Sequence, residues 1–163
     1  MDIRKIYEYA LAREYEGKRF FESNAKRLSH AAAVDAFHRL AQEEQKHIDF
    51  IQMQITALNE GFTRNVDSTV NLDPASFFSQ RAALESIEQT VSEAMLPDLP
   101  ILRMAYLIER DFAEFYQIAG EKADGNARQV LNMLAQWERG HERFFKEWYD
   151  NVFQEYAKMP WGG

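Results

Sequence analysis

One motif occurs twice, and it constrains this chain more than anything else in it. Glu44 and His47 stand three residues apart, and Glu138 and His141 repeat that spacing 94 residues on (44 to 138). The flanks repeat too: Leu40-Ala41-Gln42 reads onto Leu134-Ala135-Gln136. Residues three apart on a helix share a face, so each motif sets a carboxylate beside an imidazole.

The surrounding pattern is helical. Ile3, Tyr7, Ala10, Glu14, Gly17, Phe21 and Leu28 fall on steps of mostly three and four, which predicts a first helix from Asp2 to about Leu28. Glu14 is the one acid on this stripe, and a bare charge facing a core needs a partner. Ala10 and Gly17, one turn to either side, leave room for a bulky group beside it. Gly17 weakens a helix by roughly 1 kcal/mol, so a packing reason is expected. Ser29-His30 marks a connection. A second helix is expected from about Ala32 to Glu60, stopped by Gly61. Its stripe is Ala33, Phe37, Leu40, Glu44, His47, Ile51 and Leu58.

From about residue 61 the periodicity fades and Gly, Asn, Asp and Pro collect, which reads as a crossover. Asp73-Pro74 looks like a helix start, with a peripheral helix over Phe77 to about Met95, broken by Pro97 and Pro100. The third main helix is expected from about Pro100 to Lys122, its stripe being Leu102, Ala105, Glu109, Phe112, Tyr116 and Ala119. Asp124-Gly125 makes a tight turn. A fourth helix follows from about Asn126 to Ala157, with stripe Leu131, Leu134, Glu138, His141, Phe145, Trp148 and Val152.

Helices one and three also match each other. Ala10, Glu14 and Phe20-Phe21 read onto Ala105, Glu109 and Phe115-Tyr116, 95 residues on. The chain is thus two similar hairpins joined by one long connection, which predicts an all-α four-helix bundle of ferritin-like topology. A length of 163 residues suits a single domain, expected over residues 1–158 with a loose tail at 159–163.

Composition narrows the chemistry. There is no cysteine, so disulfides, thiolate metal sites and cysteine nucleophiles are excluded. A net charge of −7 argues against nucleic acid or an anionic membrane surface as partner. No run of about 18 apolar residues spans a membrane, and the charged N-terminus lacks a signal-peptide core. A cytoplasmic protein is expected.

Gathered in one core, the inward polar residues would be Glu14, Glu44, His47, Glu109, Glu138 and His141. Four carboxylates carry −4 and would repel one another unless protons or cations intervened; two divalent ions supply +4. One Glu from each of two helices plus Glu-x-x-His from each of the others is the ligand set of ferritin-like di-iron and di-manganese proteins. Oxygen-rich ligands with imidazole suit iron, with manganese or a mixed pair also accommodated.

On these residues the chain resembles a rubrerythrin-type ferritin-like domain. Glu14 with Phe21 seven later, Glu109 with Tyr116 seven later, and the two Glu-x-x-His motifs carry the resemblance over about residues 2–60 and 100–157. It implies a non-haem di-iron centre that cycles between di-ferrous and di-ferric states and reduces hydrogen peroxide or dioxygen. Two departures matter. Rubrerythrins carry a four-cysteine rubredoxin domain, and no cysteine is present here, so electrons are expected from another protein, an external electron donor, or another reductant. Rubrerythrins also present an extra glutamate near the third-helix ligand, where this chain has Tyr106 and Phe112 flanking Glu109; a six-ligand site is closer to what is written. The expected chemistry includes oxidation of ferrous iron by oxygen; an iron-handling module with little turnover and a purely structural bundle with acids paired to protonated histidine are the alternatives.

Other side chains are assigned blander roles. Glu16, Asp111 and Glu43 read as solvated charges, and His30 and His38 as surface or loop histidines. Tyr7, Tyr106, Phe21, Tyr116 and Trp148 read as core, Tyr106 being one turn from Glu109 and within reach of a ligand. Trp137 replaces Glu43 in the repeat and reads as an interface cover. Phe20, Phe50, Phe115 and Phe144 lie off the main stripes and fit either a homodimer face, the expected state, or packing beneath the crossover.

Overall fold

The computed structural model describes residues 2–61 and 93–160. Among them are four α-helices and no strand: α1 (Ile3–Ala25), α2 (Ala31–Asn59), α3 (Leu99–Lys122) and α4 (Gly125–Lys158), with a 3-10 helix at Glu93–Asp98 before α3. The chain is an all-α ferritin-like bundle. The peripheral helix expected over Phe77 to Met95 lies outside the described residues, apart from its last few positions, which are in the 3-10 helix. No helix among the described residues is long and apolar enough to cross a membrane.

The helix ends follow local chemistry. The Asp2 carboxylate accepts from the Lys5 amide and starts α1, as an N-cap should. His30 does the same for α2, its ring nitrogen accepting from the Ala32 amide. That gives this loop histidine a capping role. Gly61, at φ +76, follows the last turn of α2, where the left-handed region suits glycine. Gly125, at φ +56, forms the turn between α3 and α4. Pro100 sits in the first turn of α3, where its missing N–H costs nothing. The buried Asp98 carboxylate accepts from both the amide and the hydroxyl of Ser29, tying the α1–α2 connection to the start of α3.

The core forms two apolar layers. One contains Phe21, Leu28, Ala33, Phe37, Leu40, Leu102, Ala105, Phe145, Trp148 and Val152. Phe21 and Phe145 stack at 5.4 Å, and Phe37 packs edge-on against both. The other layer contains Tyr7, Ala10, Phe50, Ile51, Phe112, Tyr116, Leu131 and Leu134. Along α1 the chain runs from the second layer to the first; α2 and α3 both run from first to second, and α4 returns. α2 and α3 thus point the same way, as the ferritin-like topology has them.

Every stripe residue expected in α3 and α4 is buried, as are those of α1 from Tyr7 to Phe21. Leu58 is a correction: it is exposed, and Gln54 and Ala57 face inward instead. Phe50 and Phe144 are buried, which places them in the core of the single chain.

Candidate metal centre

The two apolar layers are separated by one polar layer. Glu14, Glu44, Glu109 and Glu138 are fully buried there, with His47 and His141 almost so. They come from all four helices because each stripe carries its acid at mid-length. All six residues singled out from the sequence meet in this layer.

They fall into two groups that share a pair of acids. Glu14, Glu44, His47 and Glu138 each offer a ligand atom, all within 4.8 Å of one another; Glu44, Glu109, Glu138 and His141 do the same. His47 Nδ1 lies 3.2 Å from Glu14 Oε2, 2.9 Å from Glu138 and 3.7 Å from Glu44. Only the Glu14 approach has hydrogen-bond alignment; the shorter one to Glu138 is a charge contact. His141 Nδ1 lies 3.3 to 3.5 Å from Glu44, Glu109 and Glu138. The ion pairs of these four acids, among the described residues, are all with the two histidines.

Six carboxylate oxygens, both from each of Glu44, Glu109 and Glu138, are buried without a hydrogen-bond partner, as is His141 Nδ1. Buried polar atoms left unpaired in this number call for an explanation such as an ion. Acceptor-only oxygens and an imidazole nitrogen converging on one spot fit hard or borderline divalent cations.

The electrostatics show how the pocket balances without them. Burial, with the charges of Glu138 and Glu44 beside it, holds the Glu14 carboxyl well above the usual range. Glu109 is raised in the same way, by burial and then by Glu44 and Glu138. For Glu44 and Glu138 burial pushes upward, but the neighbouring histidines outweigh it and hold both acids low. Burial opposes a charge on His47 and His141, yet the surrounding carboxylates raise both well above ordinary imidazole. Protons therefore sit where cations would neutralise the acids, and metal and protons compete.

Three neighbours of the centre do more than the sequence showed. Glu43 is not simply solvated: its carboxylate is 2.9 Å from His141 Nε2, and its side chain is only 16% exposed. Trp137 lies flat on His47, ring centroids 4.8 Å apart, with Phe50 edge-on to it, and so covers this imidazole. Tyr116, fully buried, donates its hydroxyl to Glu14 Oε1, with burial and the Glu14 charge pushing its pKa up. Tyr106, the expected ligand neighbour, packs against Tyr149 and leaves both Glu109 oxygens without a hydrogen bond. The one sequence signal was the break in the repeat, where Glu43 faces Trp137 and Phe21 faces Tyr116. Gly17 is also explained: a Cβ there would sit 3.2 Å from the Phe112 ring and 3.4 Å from Glu44 Oε2.

Residues 100–160 match the Rubrerythrin family model. The match spans nearly all of α3 and α4 and is consistent with a rubrerythrin-type ferritin-like protein, as the resemblance implied. No curated protein and no solved structure matches the chain. Rubrerythrin-type proteins bind iron, and the buried Glu/His groups of this chain can hold a metal. Glu109, Glu138 and His141 fall within the matched residues; Glu14, Glu44 and His47 come from the hairpin outside them and complete the same layer.

Proposed function

We propose that this chain is a non-haem di-iron oxidoreductase that reduces hydrogen peroxide or dioxygen with electrons from an external donor protein. A single domain over residues 1–158 carries the activity. Glu14 and His47 would hold one iron and Glu109 and His141 the other, with Glu44 and Glu138 belonging to both groups. The observation that carries this reading is the pair of four-residue groups with Glu44 and Glu138 common to both. Shared carboxylates bring two ions close enough to act on one small molecule.

Bound iron supplies the redox couple and the open coordination positions for the oxidant. The chain's own residues do the rest. Glu44 and Glu138, held ionised, offset the charge of the ions. His47 and His141 present Nδ1 inward. Tyr116 keeps a proton on its hydroxyl against Glu14, inside the pocket. The apolar layers on either side, rich in Phe and Trp, exclude bulk water from the centre. Reduction of one peroxide to two waters consumes two electrons and two protons, and the donor protein must restore the electrons.

The test is anaerobic loading with ferrous iron, metal analysis, and rapid mixing with peroxide or oxygen. About two irons per chain and a fast change in the visible spectrum are expected. A loaded form inert to both oxidants would overturn the oxidoreductase reading in favour of iron handling. Unchanged stability on chelation and on iron addition would overturn metal binding itself, because a ligand selective for the folded state must stabilise it.

A further inference from the structure

The geometry points to two unequal ion positions, with the one capped by His141 binding metal the more tightly because Glu43 backs its ring and Tyr116 does not tie up its carboxylate. This rests on the two-ion reading above. It goes further by ranking the positions and naming the residues that rank them.

Behind each histidine the repeat places a different group. A ring that ligates through Nδ1 carries its proton on Nε2. For His141 that proton is donated to Glu43 at 2.9 Å. A carboxylate there fixes the ring's orientation and makes Nδ1 a better donor. For His47 the equivalent position is Trp137, whose indole lies parallel to the imidazole, interplanar angle 7°. A stacked face packs the ring but offers no carboxylate to its in-plane N–H.

The terminal carboxylates differ in the same sense. Glu14 Oε1 already accepts from the Tyr116 hydroxyl. That bond draws electron density from the carboxylate and leaves Oε2 as its readier donor. Seven residues beyond Glu14 the repeat has Phe21, fully buried in the aromatic layer, which has no hydroxyl to give Glu109. Both Glu109 oxygens therefore remain unpaired and available to one ion. Glu44 and Glu138 are common to the two positions and cannot distinguish them. Glu43 and Tyr116 are positioning residues, acting through His141 and Glu14.

The experiment titrates the full metal-free chain with Co²⁺ under calorimetry, with paramagnetic proton spectra of the one-ion and two-ion forms. The native chain is expected to bind two ions in two steps, the first at least about tenfold tighter. Glu43→Gln is expected to weaken the tight step by about 10- to 100-fold and leave the other unchanged. It should also shift the ring N–H resonance that appears with the first ion. Tyr116→Phe, which copies the residue already present at Phe21, is expected to tighten the weaker step and narrow the gap. Equal affinities in the native chain, or a Glu43→Gln effect spread over both steps, would overturn the ranking at full stoichiometry. Fewer than two ions bound by the native chain would instead overturn the two-ion reading, and the ranking with it.

Discussion

The first hairpin places Gly17 one turn beyond its acid, where the second has Phe112; it places Phe21 where the second has Tyr116, and Glu43 where the second has Trp137. The inward acids and histidines match across the repeat while the residues packed around them do not. The reason lies in how two like halves meet. Near the axis that relates them, a residue faces its own equivalent, so two large side chains collide and two small ones leave a void. Phe112 lies over the space left by Gly17, close enough that even a methyl group at Gly17 would press on it. Within each hairpin the two helices approach closely along their length. Between hairpins the contacts at the centre include Tyr116 to Glu14, Glu43 to His141, and Trp137 to His47. The repeat supplies the charges, and the residues in which its halves differ fill the space around them.

The comparison can be broken most forcefully at the shared acids. Glu138→Ala and Glu44→Ala are each expected to reduce bound iron from two per chain towards none, whereas Glu14→Ala and Glu109→Ala should each spare one ion. Metal analysis after loading separates the outcomes; loss of both ions from all four variants would deny that the two groups are distinct.

Removal of metal comes next in size. With free metal at 100 times its dissociation constant, binding stabilises a folded chain by about 2.7 kcal/mol per site, so chelation should lower the thermal midpoint measurably. The metal-free chain should also lose stability as pH rises. His47 and His141 stand above their usual value of 6.5, so their contribution is complete below that pH and drains away as pH climbs through the raised values. Glu14 and Glu109, raised above 4.5, act in the same sense. Glu44 and Glu138, held low, contribute above 4.5 and lose it only as acid reaches their lowered values. Melting the metal-free chain from pH 6 to 9 should show a falling midpoint, with the loaded chain resisting the fall because proton loss favours metal. A midpoint that rises over this range in the metal-free chain would contradict the proton balance described for the pocket.

The aromatic layer and its partner offer a middle-sized test. Phe145, stacked on Phe21 and edge-on to Phe37, is expected to cost about 3 to 5 kcal/mol on replacement by Ala, as read by denaturant unfolding. The smallest effect belongs to Gly17. Gly17→Ala gains up to about 1 kcal/mol of helix propensity but must displace Phe112. In a Phe112→Leu background the same change should be stabilising, and a penalty persisting there would show that Glu44, not Phe112, sets the limit.

The sequence by itself determined the helices, their inward faces and the six charged groups of the centre. Steps of three and four along each stripe leave little freedom in which side chains a helix buries, and an acid at the middle of an apolar stripe has nowhere else to point. The same regularity located Gly61 and Asp124-Gly125 as breaks. It failed at Leu58, which lies nearly two full turns beyond Ile51 on the same side of the helix yet is exposed near the end of α2. What only the tertiary structure decided lies between helices: Glu43 turned onto His141, Trp137 laid on His47, and Tyr116 reaching across to Glu14. Periodicity describes one helix at a time. Which residues of two helices touch depends on how they are rotated and shifted against each other, and that is set by the summed packing of the whole core.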